Sequence, residues 1–207
     1  MMPSDKPFSQ ACENNKRFIL DRIFDQFPGE CSVLEIGSRT AQHVTFFAYM
    51  MPQVRWLPSD IPENMVTLMG CLEGHTYANI AAPVALDVTQ ALWPPGTAGV
   101  DGIFTANTLH IMPWATVECF FQGVGRVLRP GGKLCVYGPF KYAGEFTTAS
   151  NAQFDASLRS QDPASGLRDF ERVVALAEAQ SMQLVADHAM PANNQLLIWQ
   201  VRKSAND

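Results

Sequence analysis

The sequence predicts an α/β fold: a seven-stranded, mostly parallel sheet with helices on both faces and an antiparallel C-terminal strand. Three observations predict it. Short apolar runs of strand length alternate with longer segments of helical periodicity, the pattern of βαβ units. Three of the runs end at or beside an acidic residue: Glu35, Asp60 and Asp87. The last two runs, 183–187 and 196–202, lie too close together for a crossover helix, so they pair as an antiparallel hairpin.

The elements follow in order. A helix over 9–27 carries Ile19, Leu20, Ile23, Phe24 and Phe27 on one face, and Pro28-Gly29 ends it. A strand over 32–36 precedes a helix over 40–51, stopped by Pro52. A strand over 54–57, a helix over 63–72 and strands over 84–86 and 102–106 come next. The helix over 114–128 is closed by Pro130-Gly131-Gly132, and a strand over 133–137 follows. An insertion over about 139–168 is expected to fold over as a lid. A helix over 169–180 leads into the final hairpin. The whole chain, 1–207, reads as one domain.

Composition narrows the function. The chain is 47% hydrophobic and 17% charged, which is globular, and its net charge is −5. Nucleic-acid binding rests on clustered Lys and Arg, and no basic run is present, so no nucleic-acid partner is expected. The five cysteines are scattered and form no C-x-x-C, which suits a reducing compartment. With no leader-like apolar core and no run of membrane-span length, a cytoplasmic location and no membrane contact are expected. His43, His75, His110 and His188 lack metal-ligand spacing, so no metal is expected. Tyr137 and Lys141 have a Y-x-x-x-K spacing, but Gly138-Pro139 breaks the helix such a pair needs.

In open α/β sheets, ligands bind beyond the carboxyl ends of the strands. That rule gathers Glu35, Asp60, Asp87, Asn107 and Gly138 along one edge. Gly37 and Ser38 make the tight turn into a helix whose first N–H groups are free. Asp60 is placed to accept from both ribose hydroxyls, and Asp87 from an adenine amine. An acidic edge suits the cationic sulfonium of S-adenosylmethionine (SAM) better than a pyrophosphate. A G-x-G-x-G loop starting at Gly37 would put glycine at 39 and 41, where this chain has Arg39 and Ala41. Left-handed backbone at such residues costs about 1 kcal/mol or more each. A parallel sheet with one reversed strand at its end is the architecture of class I SAM-dependent methyltransferases.

Three segments converge beyond the same edge: 107–114, 138–142 and 190–194. Tyr137, Asn151, Arg168, Asn193 and Asn194 are candidates to orient a polar acceptor. Trp114, Phe140 and Phe154 are candidates to exclude water. His110 is the candidate base for an oxygen or nitrogen acceptor, against the alternative that it anchors the loop after the fourth strand. Asn193-Asn194 also suit a tight hairpin, because Asn tolerates positive φ.

These residues resemble the DUF938 (UPF0585) family, called methyltransferase-like protein 26 in animals. The matching pieces include Ala11-Cys12-Glu13-Asn14-Asn15-Lys16, Leu34-Glu35-Ile36-Gly37-Ser38, Gln42-His43, Trp56-Leu57-Pro58-Ser59-Asp60 and Leu86-Asp87-Val88-Thr89. Further along are Asn107-Thr108-Leu109-His110-Ile111-Met112-Pro113-Trp114, Tyr137-Gly138-Pro139-Phe140, Ser150-Asn151 with Phe154-Asp155, Gly166-Leu167-Arg168-Asp169 and Met190-Pro191-Ala192-Asn193-Asn194. The resemblance implies a class I fold, SAM as cofactor and S-adenosylhomocysteine (SAH) as product. It names no acceptor, and it adds Asn15 to the candidate acceptor contacts. Two departures fall where ligands are expected: the family loop usually reads G-S-G-T-G-Q-H, and Asn14 stands where the family usually has Arg. The expected activity is methyl transfer to a small-molecule acceptor by a monomer or homodimer. The rival expectation is a non-catalytic protein that binds a ligand or partner on the same scaffold.

Overall fold

The computed structural model describes residues 6–203. Seven strands form one sheet: β1 (Cys31–Ile36), β2 (Val54–Asp60), β3 (Val84–Ala85), β4 (Val100–Ala106), β5 (Leu128–Gly138), β9 (Met182–Met190) and β10 (Asn194–Val201). Their spatial order is β3-β2-β1-β4-β5-β10-β9. All pairings are parallel except those of β10, which runs antiparallel to both neighbours. The reversed strand is therefore the last in sequence, as expected, and it is inserted between β5 and β9.

Period-two alternation divides the core into two layers. Val33, Phe104, Cys135 and Ile198 pack under α1 (Gln10–Ile23), α2 (Gln42–Met50) and α3 (Met65–Leu72). Leu34, Ile103, Leu134 and Trp199 pack under α4 (Trp114–Val127) and α6 (Phe170–Ala179) on the opposite face. Phe104 is completely buried and meets Phe47 and His43 edge-on at 5.3 and 5.6 Å between ring centroids.

Boundaries move for local reasons. The first helix ends at Ile23 and continues only as a 3-10 turn, Phe24–Gln26. The second starts at Gln42 because Arg39 and Ala41 are left-handed. β2 runs through Pro58 to Asp60. Pro58 faces a gap between the Asn79–Ala81 contacts of Trp56 and the β3 pairing of Ser59 and Asp60, so its missing N–H orphans no ladder bond. Pro130-Gly131-Gly132, expected to close the helix ahead of a strand over 133–137, lies inside β5, where the β4 register jumps between the pairs Val100–Leu128 and Gly102–Lys133.

The insertion has its own structure. β6 (Phe140–Tyr142), β7 (Glu145–Phe146) and β8 (Arg168–Asp169) make a small sheet in the order β7-β6-β8. Between them lies α5 (Ala149–Gln161), capped by the Thr148 hydroxyl accepting from the Asn151 N–H.

Phe104→Ala should cost about 3–5 kcal/mol of unfolding free energy in chemical denaturation, because it opens a void beneath the rings of Phe47 and His43.

Candidate active site

The site begins where β1 ends. Gly37 has φ +81, and a Cβ built there would come within 2.7 Å of the Thr108 methyl, so both backbone angle and space require glycine. The N–H groups of Gly37 and Ser38 both donate to the Ser59 carbonyl, at 3.0 and 2.9 Å, tying the ends of β1 and β2 together. The Ser38 hydroxyl donates to Glu35 Oε2 at 2.6 Å and accepts from the Ser59 N–H at 3.2 Å.

Next come the strained residues, Arg39 with φ +36 and Ala41 with φ +57. This geometry aims the Arg39 N–H at Asp60 Oδ2, 2.8 Å away. Asp60 Oδ1 accepts from the Ile61 N–H at 2.9 Å and the Asn64 amide at 2.8 Å. A left-handed non-glycine residue costs roughly 1–2 kcal/mol. A hydrogen bond to a charged group contributes roughly 1.5–3 kcal/mol, so the Asp60 contact offsets the strain at Arg39. The Arg39 side chain is exposed at the rim and leaves the cavity open.

That cavity is about 710 Å³ and lies beyond the carboxyl ends of β1, β2, β4 and β5. α1 forms one wall through Cys12 and Asn15. Its N-terminus is tied to that of α2: the Ser9 N–H donates to Gln42 Oε1 at 2.6 Å, and Gln42 Nε2 returns a bond to the Ser9 carbonyl at 3.2 Å. The His43 ring meets Asn15 Oδ1 at 2.6 Å, so Nε2 carries the proton and donates. The hairpin turn and α5 close the opposite wall: Asn151 Nδ2 donates to the Asn193 carbonyl at 3.0 Å, and Asn193 Nδ2 to the Ser150 hydroxyl at 3.1 Å. Of the seven described non-glycine residues with positive φ, four line this cavity: Arg39, Asn107, Ala192 and Asn193. Backbone strain gathers at the site, as at functional sites generally.

Burial sets the charges. Glu35 lies beneath the Gly37 turn, 2% exposed, and its pKa is pushed up to about 7. Desolvation is the main cause, the Ser38 bond opposes it, and nearby Asp60 adds to it. His43 and His110 are both held down at about 4, chiefly by burial, with Lys16 and Arg168 respectively as lesser causes. Both imidazoles are therefore neutral at pH 7.

Ten of the residues expected from sequence line the cavity together: Asn15, Gly37, Ser38, Asp60, Asn107, His110, Tyr137, Asn151, Asn193 and Asn194. Phe154 joins them, edge-on to His110 at 5.4 Å. Glu35 reaches the site only through Ser38. Four others lie elsewhere. Asp87 turns its carboxylate onto its own loop, accepting from the Thr89 N–H at 2.9 Å and the Thr89 hydroxyl at 2.7 Å. Trp114 donates its indole N–H to Glu118 at 2.7 Å and lies under the Arg172 guanidinium. Phe140 is 2% exposed within the α4–α6 core layer. Arg168 donates to the carbonyls of Leu109, Met112 and Ala164, bracing the 109–112 loop against the insertion. Sequence reasoning gives no role to Cys12, His43, Asn64, Thr108 or Ser150, which also line the cavity. Cys12, His43, Thr108 and Ser150 lie inside matched motif pieces, and that is their only signal.

Among the described residues, no group of three or more His, Cys, Asp or Glu side chains is placed to hold a metal ion. No helix among them is long and apolar enough to cross a membrane.

The sheet order, the reversed strand and the cavity at the carboxyl edge define the Rossmann-like fold of class I methyltransferases. Solved structures share it. An O-methyltransferase family protein from Burkholderia thailandensis is similar at 14% identity, over 94% of this chain and 58% of that one, with a TM-score of 0.79. Human N-acetylserotonin methyltransferase in complex with SAM matches at 14% identity, over 94% and 53%, with a TM-score of 0.78. PigF with SAH matches at 16% identity, over 92% and 55%, with a TM-score of 0.76. The chain thus spans between 53% and 58% of the length of these three. It belongs to the family described as "Protein of unknown function (DUF938)", whose model matches residues 6–201.

The raised Glu35 pKa gives a signed expectation. Between the ordinary value of 4.5 and about 7 the folded protein holds a proton that the unfolded chain has lost, so stability falls as pH rises through this window. Glu35→Gln keeps an acceptor for Ser38 and removes the titration. Denaturant midpoints at pH 5 and 8 should differ less in this variant than in the wild type.

Proposed function

We propose that this protein is a SAM-dependent methyltransferase acting on a small-molecule acceptor and releasing SAH. We read residues 1–207 as one methyltransferase domain, with α1 as a wall and the 139–168 insertion as a lid. The observation that carries the reading is the cavity itself. Its volume suits a nucleoside-sized ligand with a second small molecule, and its Asp60 end is shaped for the first. The residues present fit SAM. Gly37 leaves the close approach that a Cβ would fill, Asp60 offers a pinned carboxylate to ribose hydroxyls, and Ser38 and Asn107 stand beside the same space. The rim guanidinium of Arg39 suits the cofactor's own carboxylate.

When bound, SAM supplies a methyl carbon made electrophilic by the adjoining sulfonium. What the chain supplies is position. In-line displacement gains most from holding the reacting atoms in a near-attack arrangement. His110, Asn151, Asn193 and Asn194 face the acceptor end, and Phe154 shields it from water. General-base catalysis works best with a pKa near the operating pH, and His110 lies well below that. Its neutral ring therefore acts by accepting a hydrogen bond from the acceptor's hydroxyl or amine and orienting it. The second reading, a non-catalytic binding protein, draws its support from the left-handed Arg39 and Ala41.

Calorimetry with SAM and SAH separates the two. No binding of either at millimolar concentration would defeat the enzyme reading. Asp60→Ala should weaken SAM binding by about tenfold or more, through the lost ribose bonds and the loosened Arg39 turn. An unchanged affinity would show that the ribose lies elsewhere. His110→Ala should leave SAH affinity within about threefold, a change of well under 1 kcal/mol. A larger loss would move His110 to the cofactor end.

A further inference from the structure

The half of the cavity away from Asp60 is walled by groups that hydrogen-bond without carrying charge. Asn15, His110, Asn151, Asn193 and Asn194 line it. Among the described residues, neither lysine nor glutamate lines the cavity. The formally charged lining groups, Arg39 and Asp60, sit together at the other end, joined by a backbone hydrogen bond.

Several wall groups keep bonding capacity that no described residue uses. Asn15 spends its carbonyl on His43 and turns its amide toward the Tyr137 hydroxyl, which also lines the cavity. Asn151 spends its amide on the Thr147 hydroxyl and the Asn193 carbonyl, leaving its side-chain carbonyl. Asn194 spends its amide on the Pro191 and Ala192 carbonyls and likewise keeps its carbonyl. Within the described residues, the side chain of His110 has no hydrogen-bond partner, although it is only 6% exposed. Donors and acceptors are thus both on offer, and no charged side chain lines this half; the cations that act on the two imidazoles, Lys16 and Arg168, lie behind the lining, and Arg168 is held by three backbone carbonyls. His43 and His110 add no charge at neutral pH. Burying an unpaired ion costs far more than burying a hydroxyl or amide that finds its partners.

We propose that the methyl acceptor is an uncharged small molecule bearing hydroxyl or carboxamide groups, and that this amide wall rejects the corresponding carboxylates and amines. The word "acceptor" rests on the methyltransferase reading above; the preference for neutral ligands belongs to the cavity alone.

Two matched sets of probes test it. One is para-hydroxybenzamide, para-hydroxybenzoate and para-hydroxybenzylamine. The other is cyclohexanecarboxamide, cyclohexanecarboxylate and cyclohexylmethylamine. Each is titrated at neutral pH into the SAH-saturated protein in a calorimeter. In every set that yields a binder, the carboxamide is expected to bind about tenfold or more tightly than either ion. An ion that binds as tightly as its carboxamide, or no binding by any member at millimolar concentration, overturns the proposal. SAH binding is measured first on the same sample. Its absence defeats the methyltransferase reading, and the sets titrated into the free protein still test the wall. Asn14→Arg supplies a second arm. Asn14 is exposed at the cavity rim, where its carbonyl takes only the Gln10 amide at 2.8 Å. A cation there should narrow the carboxamide–carboxylate gap by about threefold or more. An unchanged gap would mean that wall charge does not set the preference.

Discussion

Everything at the carboxyl edge depends on one coupling, between the Asp60 carboxylate and the turn that follows β1. The turn takes a left-handed path at Arg39 and Ala41, and its N–H at Arg39 ends on Asp60. Asp60 is held in turn by Ile61 and Asn64 at the start of the next helical segment. Ser38 links the same turn downward to Glu35 and sideways to Ser59. Backbone strain, a buried acid and the ends of two strands are thus one unit.

Much of this is legible in the sequence, for a physical reason. Parallel strands buried on both faces need apolar runs, and the chain must turn at their carboxyl ends. Strand ends therefore announce themselves, and with them Glu35, Gly37 and Asp60. The same logic gathers Asp87 with them, but Asp87 is not among the residues that line the cavity. Its strand, β3, is only two residues long, and the carboxylate accepts from the Thr89 N–H and hydroxyl within its own loop. Trp114, Phe140 and Arg168 illustrate a second limit. An aromatic ring after a strand serves a ligand or the core equally well by type, and here the core takes Phe140. A buried guanidinium holds loop carbonyls as readily as a substrate, and Arg168 holds three. Only packing distinguishes these cases.

The wall supplied by α1 shows the opposite failure. Its amphipathic pattern declares a core-facing stripe, which Ile19, Leu20 and Ile23 fulfil. The polar first turns carry no comparable period, so nothing in the pattern marks Cys12 as a lining residue. The tie between Ser9 and Gln42 draws that turn over the site. Metal-ligand spacing gives His43 no role, yet in the folded protein its ring fixes Asn15 from below. Neutral histidines beside amides make a surface whose recognition is directional and not Coulombic, which binds by geometry and is little changed by salt.

The placement of β10 bears on how the molecule is made. β5 and β9 are not neighbours in the sheet; each takes β10 as its partner. A nascent polypeptide that has left the ribosome only as far as Met190 would hold five strands in register beside an open edge at β5, with β9 still unpaired. The sheet, and the Asn193 side of the cavity with it, closes only when the last strand threads between them. Any affinity of the cavity for a ligand should therefore arise only after β10 has emerged and taken its place.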